Sequence, residues 1–382
     1  MSGPVRPPAS APRGERLELS VACHAGQLLQ PVPGGIGRYT HSLLRTLPAA
    51  GARPIAFAAG ARPPGVPRRI PWIDLGPPHG SVRYESWHRL RRPWVAIDAD
   101  VVHAPSLAVP PVREAALVVT VHDIAFQRVP DVTTRRGVSF HRRALTMARR
   151  HADLVLAPSS FTRMELIREG FSPEDVHIAR LGVDPPLDRA DADVDAAVAA
   201  VGIESPYVLT VGTIEPRKDL PTIISAVERL RARSTPDLQL VVVGPKGWGE
   251  PPDLDWPFVR VLGTQPWSVV DALLRRASAC CIASRYEGFG LPALEALARG
   301  APVAVAEGSA LEEVVEHAAL LFAAGDVEGC TEALERLLTD DALREELGRR
   351  GPERAAELTW VHSAEAHVAA YERAVALRAR RG

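Results

Sequence analysis

The chain has 382 residues, too many for one hydrophobic core, so its length predicts at least two domains. Hydrophobic residues make up 46% and charged residues 24%, as in an ordinary globular protein, and no apolar run is long enough to span a membrane. The four cysteines form no CxxC pair, which favours buried, reduced thiols in a cytoplasmic protein over a disulfide-stabilised one.

The first half of the chain alternates short apolar runs with longer helical patterns, which is typical of a parallel α/β sheet. The Pro- and Ala-rich residues 1–14 that precede it predict a disordered tail. Ser159 and Ser160 are predicted to cap a helix. Strands are predicted near residues 17–22, 54–58, 101–103, 116–121, 154–157 and 176–179, and helices at 36–47, 134–150 and 160–169.

A polar stretch rich in Asp and Ala interrupts this order at residues 188–200 and is predicted to be a linker. The α/β order then restarts, which predicts two doubly wound domains with ligands at the carboxyl ends of their strands. Strands are predicted at 207–211, 238–243, 258–262, 279–283, 302–306 and 320–322, and helices at 220–233, 269–276, 291–299, 327–338 and 363–380. The predicted organisation is a tail at 1–14, a first domain at 15–187, the linker at 188–200, a second domain at 201–360 and a C-terminal helix at 361–382.

The two halves of the chain carry opposite charge, although the net charge is −1. Residues 1–185 hold 24 arginines, no lysine and 15 acidic residues, whereas the remainder has an acidic excess. This asymmetry predicts different partners for the two halves. Lys218 and Lys246 are the two lysines of the chain, and both lie in glycine-containing loops after predicted strands. A lysine kept in such a loop predicts a compact charge for a phosphate.

The strongest motif is EGFGLPALE at residues 287–295, directly after a predicted strand. Gly288 and Gly290 allow a tight loop, and the proline that follows suits the first turn of a helix. The free N–H groups and the dipole of that helix favour a diphosphate. Glu287 would lie in the loop and Glu295 one turn into the helix, where carboxylates can accept hydroxyl hydrogen bonds from a ribose or a sugar.

This pair of glutamates eight residues apart resembles the group 1, family 4 retaining glycosyltransferases of the GT-B fold, and the resemblance extends over nearly the whole chain. It implies two Rossmann-like domains that face a central cleft, with the acceptor on the first domain and a nucleotide-sugar donor on the second. It also implies that the last helix crosses back to the first domain. In the motif it implies a catalytic role for Glu287 and donor contacts from Gly288, Phe289, Gly290, Leu291 and Glu295.

Further motifs extend the resemblance. VGTIEPRKDL at residues 211–220 resembles the donor-phosphate loop, GGIGRY at 34–39 the facing glycine loop, and VHD at 121–123 the His-Asp site. Thr213 stands where many members carry arginine, so Arg217 is expected to supply the second charge. The resemblance implies catalytic roles for His122, Asp123, Arg217 and Lys218, donor contacts from Gly35, Gly37, Gly212, Thr213, Lys246, Leu262 and Gly263, and acceptor-side positions for His103 and Arg38.

Other kinds of site are not predicted. The chain has no HExxH, paired CxxC or GxxxxGK[ST] motif, so neither a metal site nor a P-loop is expected. Asp98 and Asp100 resemble a DxD metal pair, but they precede a buried strand and are predicted to be structural. Thr40 replaces the third glycine of a dinucleotide fingerprint. We expect no cofactor, a GDP-, dTDP- or UDP-sugar as substrate, and no nucleic-acid partner.

The resemblance implies transfer of a hexose to a hydroxyl of a glycan, a glycolipid or a small molecule. The sequence EPRK at residues 215–218 favours mannose or rhamnose as the hexose. No nucleophile is placed for double displacement, so we expect a metal-independent front-face route in which the leaving phosphate takes the acceptor proton. Two alternatives stay open from the sequence. One is a sugar-nucleotide epimerase or glycoside phosphorylase on the same fold, and the other is a catalytically silent nucleotide-sugar-binding protein.

Residues 62–94 hold seven arginines and three tryptophans against one aspartate and one glutamate. Such a composition suits a lipid headgroup interface, where aromatic rings lie at the boundary and guanidinium groups meet phosphate. It predicts an anionic or lipid-linked acceptor, or peripheral contact with an anionic membrane at its inner face. The alternative is a solvated arginine face above tryptophans that belong to the core.

Overall fold

The computed structural model describes residues 18–129, 134–204, 206–247, 249–250 and 252–381. The tail predicted at residues 1–14 lies outside these ranges. The described chain forms two α/β units, each built on one parallel sheet, so the predicted fold class is confirmed.

The first sheet has seven parallel strands in the order β3-β2-β1-β4-β5-β6-β7. Its strand order reverses direction at β1 and β4, which creates the crevice where open α/β sheets bind ligands. The strands are β1 (Leu19–His24), β2 (Ala52–Ala58), β3 (Trp72–Asp74), β4 (Val101–Ala104), β5 (Ala116–Thr120), β6 (Leu154–Ala157) and β7 (Val176–Ile178). Its helices are α1 (Gly34–Thr46), α2 (Gly80–Leu90), α3 (Ala125–Arg128), α4 (Arg135–His151) and α5 (Ser160–Arg168), with short 3-10 helices at Gly26–Leu29 and Leu47–Ala50.

The second sheet has six parallel strands in the order β10-β9-β8-β11-β12-β13, and its own reversal lies at β8 and β11. The strands are β8 (Tyr207–Val211), β9 (Gln239–Val243), β10 (Val259–Gly263), β11 (Ala279–Ile282), β12 (Val303–Ala306) and β13 (Leu320–Phe322). The helices are α6 (Asp191–Ala199), α7 (Leu220–Arg233), α8 (Trp267–Arg276), α9 (Leu291–Ala298), α10 (Ala310–Val315), α11 (Val327–Thr339), α12 (Asp341–Glu357) and α13 (Trp360–Arg381), and Pro216–Lys218 forms a 3-10 turn.

The stretch at residues 188–200, predicted to be a linker, is largely helical. It contains α6, whose first turn carries Asp191 and Asp193, where carboxylates interact favourably with the helix dipole. Val194 and Val198 lie four residues apart and are buried in one hydrophobic cluster with residues of α8. The polar composition reflects the solvent side of a helix that packs on the second domain.

Two local predictions are confirmed. Ser159 caps α5, since its Oγ accepts a hydrogen bond from Thr162 N at 3.0 Å. Asp100 is structural, because its carboxylate accepts hydrogen bonds from Ser20 N at 2.8 Å and from Ser20 Oγ at 2.6 Å, which joins the starts of β1 and β4. The four cysteines are free and buried.

The last helix joins the two domains a second time. It begins at Trp360, beside the chain segment at Gly182, where an added Cβ would lie 2.2 Å from Trp360 N. The helix then packs against α1 and the strands β4, β5 and β6 of the first sheet. No helix within the described ranges combines the length and the apolar character that a membrane span needs.

Candidate functional site

The two domains touch where a loop of the second domain, residues 284–290, reaches the first. Ser159 Oγ and Thr162 Oγ1 donate hydrogen bonds to Gly288 O at 2.7 and 3.0 Å. A Cβ on Gly288 would lie 1.9 Å from His122 O, so only glycine allows this approach. The EGFGLPALE motif and the His-Asp motif therefore meet across the cleft.

A four-residue charge cluster lies behind this contact. Lys218 Nζ is 2.5 Å from Glu287 Oε1, and Arg217 Nη1 is 3.0 Å from Glu287 Oε2. Arg217 Nη2 is also 2.6 Å from Glu215 Oε1, so the two cations are balanced by two carboxylates. Burial would raise the pKa of Glu287, but Arg217 and Lys218 outweigh it and lower the pKa to about 2. Glu287 is thus ionised at neutral pH and holds both cations in fixed positions.

The donor-phosphate loop gives Lys218 a confined position. The loop follows β8 and closes in the Pro216–Lys218 turn, after which Asp219 has a positive φ of 49°. Gly212, with φ of 152°, lies so close that its added Cβ would be 3.5 Å from Lys218 Nζ. Lys218 lines a small cavity together with Gly212 and Thr213. A compact ammonium group fits this space, and its contact with a phosphate stays a prediction.

The N-terminus of α9 points into the same region. Gly290 has a φ of 109°, and a proline occupies the first turn of the helix. Glu295, 4% exposed, forms an ion pair with Arg38 of α1. Arg38 also lies 3.9 Å above the ring of Trp267. Arg38, predicted on the acceptor side, here contacts the predicted ribose-binding glutamate of the second domain, and its role at the acceptor stays a prediction.

His122 and Asp123 follow β5 and line the cleft. His122 Nε2 is 2.9 Å from Pro105 O, and burial lowers the pKa of His122 despite this hydrogen bond. Asp123 Oδ1 accepts a hydrogen bond from Ala125 N at 2.9 Å, which begins α3. A neutral histidine and a carboxylate therefore face the charge cluster from the first domain.

His103, predicted on the acceptor side, is not among the residues that line the cleft, and a contact with the acceptor stays a prediction. Its side chain is fully buried, and both ring nitrogens are engaged. Nε2 is 2.8 Å from Thr120 Oγ1, and Nδ1 is 2.8 Å from Tyr371 OH of α13. Its position inside β4 points it toward the last helix, which sequence periodicity could not reveal.

Phe289, a predicted donor contact, is buried in the structure. It is 4% exposed and belongs to a hydrophobic cluster with residues of α1 and α13. Leu291 lies beside the glycine loop, 3.9 Å from the position of a Cβ on Gly35. Gly37 packs against Pro33, where a Cβ would lie 2.2 Å from the proline ring. The Phe289 and Leu291 contacts hold α1 against the start of α9.

The remaining predicted donor residues lie in the loop after β9 and at the end of β10. Lys246 is exposed and pairs through its backbone with Ile214. Gly244 N donates to Gly263 O at 2.8 Å, and Leu262 O accepts from Gln265 Nε2 at 2.7 Å. Three loops at the carboxyl edge of the second sheet thus stack on one another, with Gly263 in a left-handed conformation at φ 65°.

A cavity of about 370 Å³ opens between the domains. Besides His122 and Asp123 it is bounded by Glu215 and Arg217 from the second domain and by aromatic side chains from the first, Tyr84, Phe126, Phe140 and His141. Sequence patterns missed these aromatic residues and Trp267, because each comes from an element without a motif. Within the described ranges, no group of three or more His, Cys, Asp or Glu side chains is arranged to hold a metal ion.

The arginine-rich segment has a different architecture from the predicted interface. Trp87 is fully buried, and Arg62, Arg83 and Arg91 donate hydrogen bonds to backbone carbonyls. Two apolar side chains of α2 are exposed instead, Val82 at 63% and Leu90 at 70%. They border a groove of about 630 Å³ between α2 and α4, which is also lined by Arg89, Arg136 and Arg143. We call this groove and its border the α2–α4 face.

Two family models match the chain. The glycosyltransferase family 4 model matches residues 33–186, and the glycosyl transferases group 1 model matches residues 194–354. The two matches follow one another along the chain and together cover most of it. Each corresponds to one of the two α/β units.

Three relatives with named activities are 29% to 34% identical to this chain over the aligned residues. O-antigen chain mannosyltransferase B of Escherichia coli is 29% identical over 303 residues, 76% of this chain and 79% of that protein. The MMP α-(1→4)-mannosyltransferase of Mycolicibacterium hassiacum is 32% identical over 63% of this chain and 59% of that protein. A D-inositol 3-phosphate glycosyltransferase of Kribbella flavida is 34% identical over 58% of this chain and 57% of that protein. The chain spans less than two thirds of the length of the last two.

Solved structures share the two-domain architecture. Sucrose-phosphate synthase from Thermosynechococcus elongatus superimposes with a TM-score of 0.70 at 20% identity, covering 93% of this chain and 98% of that one. HepE from Anabaena, in complex with UDP-glucose, gives a TM-score of 0.69 at 18% identity, covering 92% and 98%. The fold is GT-B, and the chain belongs to the glycosyltransferases, with a family 4 domain followed by a group 1 domain.

Proposed function

We propose that this glycosyltransferase is a retaining hexosyltransferase that uses a nucleotide sugar, with mannose or rhamnose as the favoured sugar. The observation that carries the proposal is the position of Arg217, held together with Lys218 by Glu287, opposite His122 and Asp123 across a cavity of about 370 Å³. Arg217 faces a neutral histidine over a space that can enclose a sugar, and Lys218 lines a smaller cavity beside Gly212.

The donor would lie along the carboxyl edge of the second sheet. Its diphosphate would meet Lys218, Arg217 and the N–H groups at the start of α9, which together can stabilise the charge of the departing diphosphate. Glu295 would accept hydrogen bonds from the ribose hydroxyls once Arg38 shares its carboxylate. The nucleobase would lie near Leu262 and Gly263, at the loop after β10.

The relatives favour mannose as the transferred sugar, since O-antigen chain mannosyltransferase B and the MMP mannosyltransferase are named for it. HepE binds UDP and UDP-glucose, which supports a nucleotide sugar as the general donor class. GDP-, dTDP- and UDP-sugars are all candidates. The acceptor hydroxyl would enter from the aromatic side of the cavity, on the first domain.

Retention is proposed to proceed on one face of the sugar. Lys218 and Arg217 would hold the leaving phosphate in place while one of its oxygens takes the proton of the acceptor hydroxyl. Closure of Gly288 against His122 would exclude water, which would otherwise hydrolyse the donor. The cations of the chain would supply the electrostatic stabilisation without a divalent metal.

Incubation with a panel of GDP-, dTDP- and UDP-hexoses and with mannose-terminated acceptors tests the proposal. We expect one donor to give a new glycosidic bond with the anomeric configuration of the donor, seen by NMR, and undiminished turnover in EDTA. Inversion of configuration would contradict the retaining mechanism. Loss of turnover in EDTA with recovery in magnesium or manganese would contradict metal independence.

We also propose that the enzyme is cytoplasmic and acts at the inner face of the membrane on an anionic or lipid-linked acceptor. The α2–α4 face supports this, because exposed apolar side chains are bordered there by arginines. Phe140 lines both the α2–α4 face and the cavity beside His122. An acceptor held in the groove would therefore lie next to the reacting centre. The free, buried cysteines are compatible with a reducing compartment.

A further inference from the structure

A chain of buried polar side chains connects α13 with α1 beneath His122. Tyr39 OH of α1 is 2.6 Å from His367 Nε2 of α13 and 2.9 Å from Thr120 Oγ1 of β5. Thr120 Oγ1 is in turn 2.8 Å from His103 Nε2, and His103 Nδ1 is 2.8 Å from Tyr371 OH of α13. Five side chains thus form a continuous hydrogen-bonded series that begins and ends on the last helix.

The donor and the acceptor of each hydrogen bond in this series can be assigned. His367 Nδ1 lies 2.6 Å from Ser363 O, a carbonyl that can only accept, so Nδ1 carries a proton. Burial lowers the pKa of His367 to about 4, so the ring is neutral near pH 7 and Nε2 accepts from Tyr39 OH. Tyr39 therefore accepts from Thr120.

The same logic fixes the other half of the series. Because Thr120 donates its hydroxyl hydrogen in the bond to Tyr39, its oxygen accepts from His103 Nε2–H. Burial also lowers the pKa of His103 well below its ordinary value, which leaves Nδ1 to accept from Tyr371 OH. Each polar hydrogen of the series has one acceptor, and such a fully satisfied buried network holds its members in a single arrangement.

Tyr39 is the member of the series that reaches the site. Its ring meets the ring of His122 edge to face, with 4.8 Å between ring centroids and an interplanar angle of 83°. His122 itself forms one side-chain hydrogen bond among the described residues, to Pro105 O. One hydrogen bond leaves the imidazole free to swing about that contact, and the Tyr39 ring blocks this motion on one side.

We infer that Tyr39 is a positioning residue for His122, and that α13 holds Tyr39 in place through His367. The inference rests on the proposed role of His122 in transfer. The docking of the last helix on the first domain thereby sets the orientation of an imidazole at the reacting centre. Arg38, the preceding residue, contacts Glu295, so successive positions of α1 meet the donor side and the His-Asp side of the cleft.

The test compares Tyr39→Phe and Tyr39→Leu with Tyr371→Phe. Tyr371→Phe is a matched control, since it removes a hydroxyl from the other end of the same network without touching His122. We expect all three variants to fold with lowered Tm. With GDP-mannose and a mannose-terminated acceptor, we expect kcat to fall roughly tenfold for Tyr39→Phe and further for Tyr39→Leu, with donor KM little changed. Tyr371→Phe should keep a kcat near that of the wild type.

A second measurement does not depend on turnover. In protein with ¹³C-labelled histidine rings, the His122 signal, assigned with His122→Gln, should shift in Tyr39→Leu because the ring current of Tyr39 is lost, and should stay in place in Tyr371→Phe. An unshifted signal in folded Tyr39→Leu, or equal kcat losses in Tyr39→Phe and Tyr371→Phe, would overturn the inference. Absence of turnover in the wild type with every donor would instead count against the proposed function, and the NMR comparison would still decide the position of His122.

Discussion

At the scale of single residues, three cations of the proposed donor site are already paired with carboxylates. Lys218 and Arg217 contact Glu287, and Arg38 contacts Glu295. An incoming diphosphate therefore shares an existing network of charges. The cations are held in position before the donor arrives, which reduces the reorganisation needed as charge develops on the leaving group.

Substitution of Lys218 tests whether the proposed diphosphate site requires a compact charge. Its side chain is 13% exposed and is confined by Gly212, so the larger guanidinium of Lys218→Arg cannot take the same position. We expect kcat/KM to fall about tenfold in Lys218→Arg and roughly 100-fold in Lys218→Met, the range for loss of one electrostatic group. Steady-state kinetics measures both. Lys246→Arg, at an exposed position, should cost less, and wild-type kinetics in Lys218→Arg would refute the lysine argument.

Glu287 makes a prediction about acid stability. Its pKa is lowered from 4.5 to about 2 in the folded protein, since Arg217 and Lys218 outweigh the effect of burial. A carboxyl group with a lowered folded-state pKa adds stability that is complete above its unfolded pKa and is lost as the pH falls toward the folded value. Between about pH 6 and pH 4, the free energy of unfolding should fall by about 1 kcal/mol more in the wild type than in Glu287→Gln. Urea unfolding at each pH measures this difference, and equal slopes would show that Glu287 is not paired in solution.

At the scale of elements, the sequence predicted strands and helices whose formation depends on residues that are close together in the chain. The strands at 207–211 and 320–322 have the predicted bounds, because buried parallel strands are short apolar runs between loops. β3 and α2 were missed, since the segment around β3 is rich in proline and arginine and α2 carries charged side chains around an irregular apolar pattern. Neither has the periodicity from which an element is recognised.

The orientation of the side chains at the site could not be predicted from the sequence in the same way. His103 lies on a correctly predicted strand and Arg38 on a correctly predicted helix. Whether each faces the cleft, the other domain or α13 depends on contacts between elements distant in sequence. Phe289 was assigned to the donor for the same reason, although it packs with α1 and α13. The loop residues Glu287 and Lys218 could be predicted, because a loop at a strand end has one accessible side.

The loop at residues 284–290 gives a prediction at this scale. Gly288→Ala would place a Cβ 1.9 Å from the backbone oxygen of His122, so the loop or the His-Asp segment has to move. We expect a loss of roughly 100-fold in kcat/KM from misplacement of the groups that meet there. Gly65→Ala is the control, since its Cβ meets no atom within 4 Å, and it should leave kinetics unchanged. Wild-type kinetics in a folded Gly288→Ala protein would show that this contact does not form during turnover.

At the scale of the whole molecule, the chain joins the two domains twice, and the domains also meet at the cleft. The chain passes to the second domain before α6 and returns along α13, and the two passages touch at Gly182 and Trp360. The charge asymmetry has a structural counterpart, since the arginine-lined groove lies on the first domain and the glutamates of the donor motif on the second. Acceptor and donor would therefore approach surfaces of different character.

The membrane proposal makes the last prediction. Arg89 and Arg143 share Glu85, at 2.9 and 2.7 Å, whereas Arg136 has no ion-pair partner among the described residues, so the groove keeps a positive charge. Each basic residue near an anionic surface contributes about 1 kcal/mol at most, and salt screens it. Co-sedimentation with liposomes should therefore rise with anionic lipid and fall with salt.

The triple variant Arg89→Gln, Arg136→Gln and Arg143→Gln should reduce this co-sedimentation, as should Leu90→Ser alone, because Leu90 would enter the headgroup region. A charge-matched control replaces three arginines of the second domain, Arg229, Arg233 and Arg260, by glutamine. It should bind vesicles like the wild type, since the lost charges lie away from the groove while the net change is the same. If both triple variants lose binding equally, overall charge and not the α2–α4 face attracts the protein. Equal recovery of the wild type on neutral and anionic vesicles would refute the membrane proposal, and a small soluble acceptor would then be the better expectation.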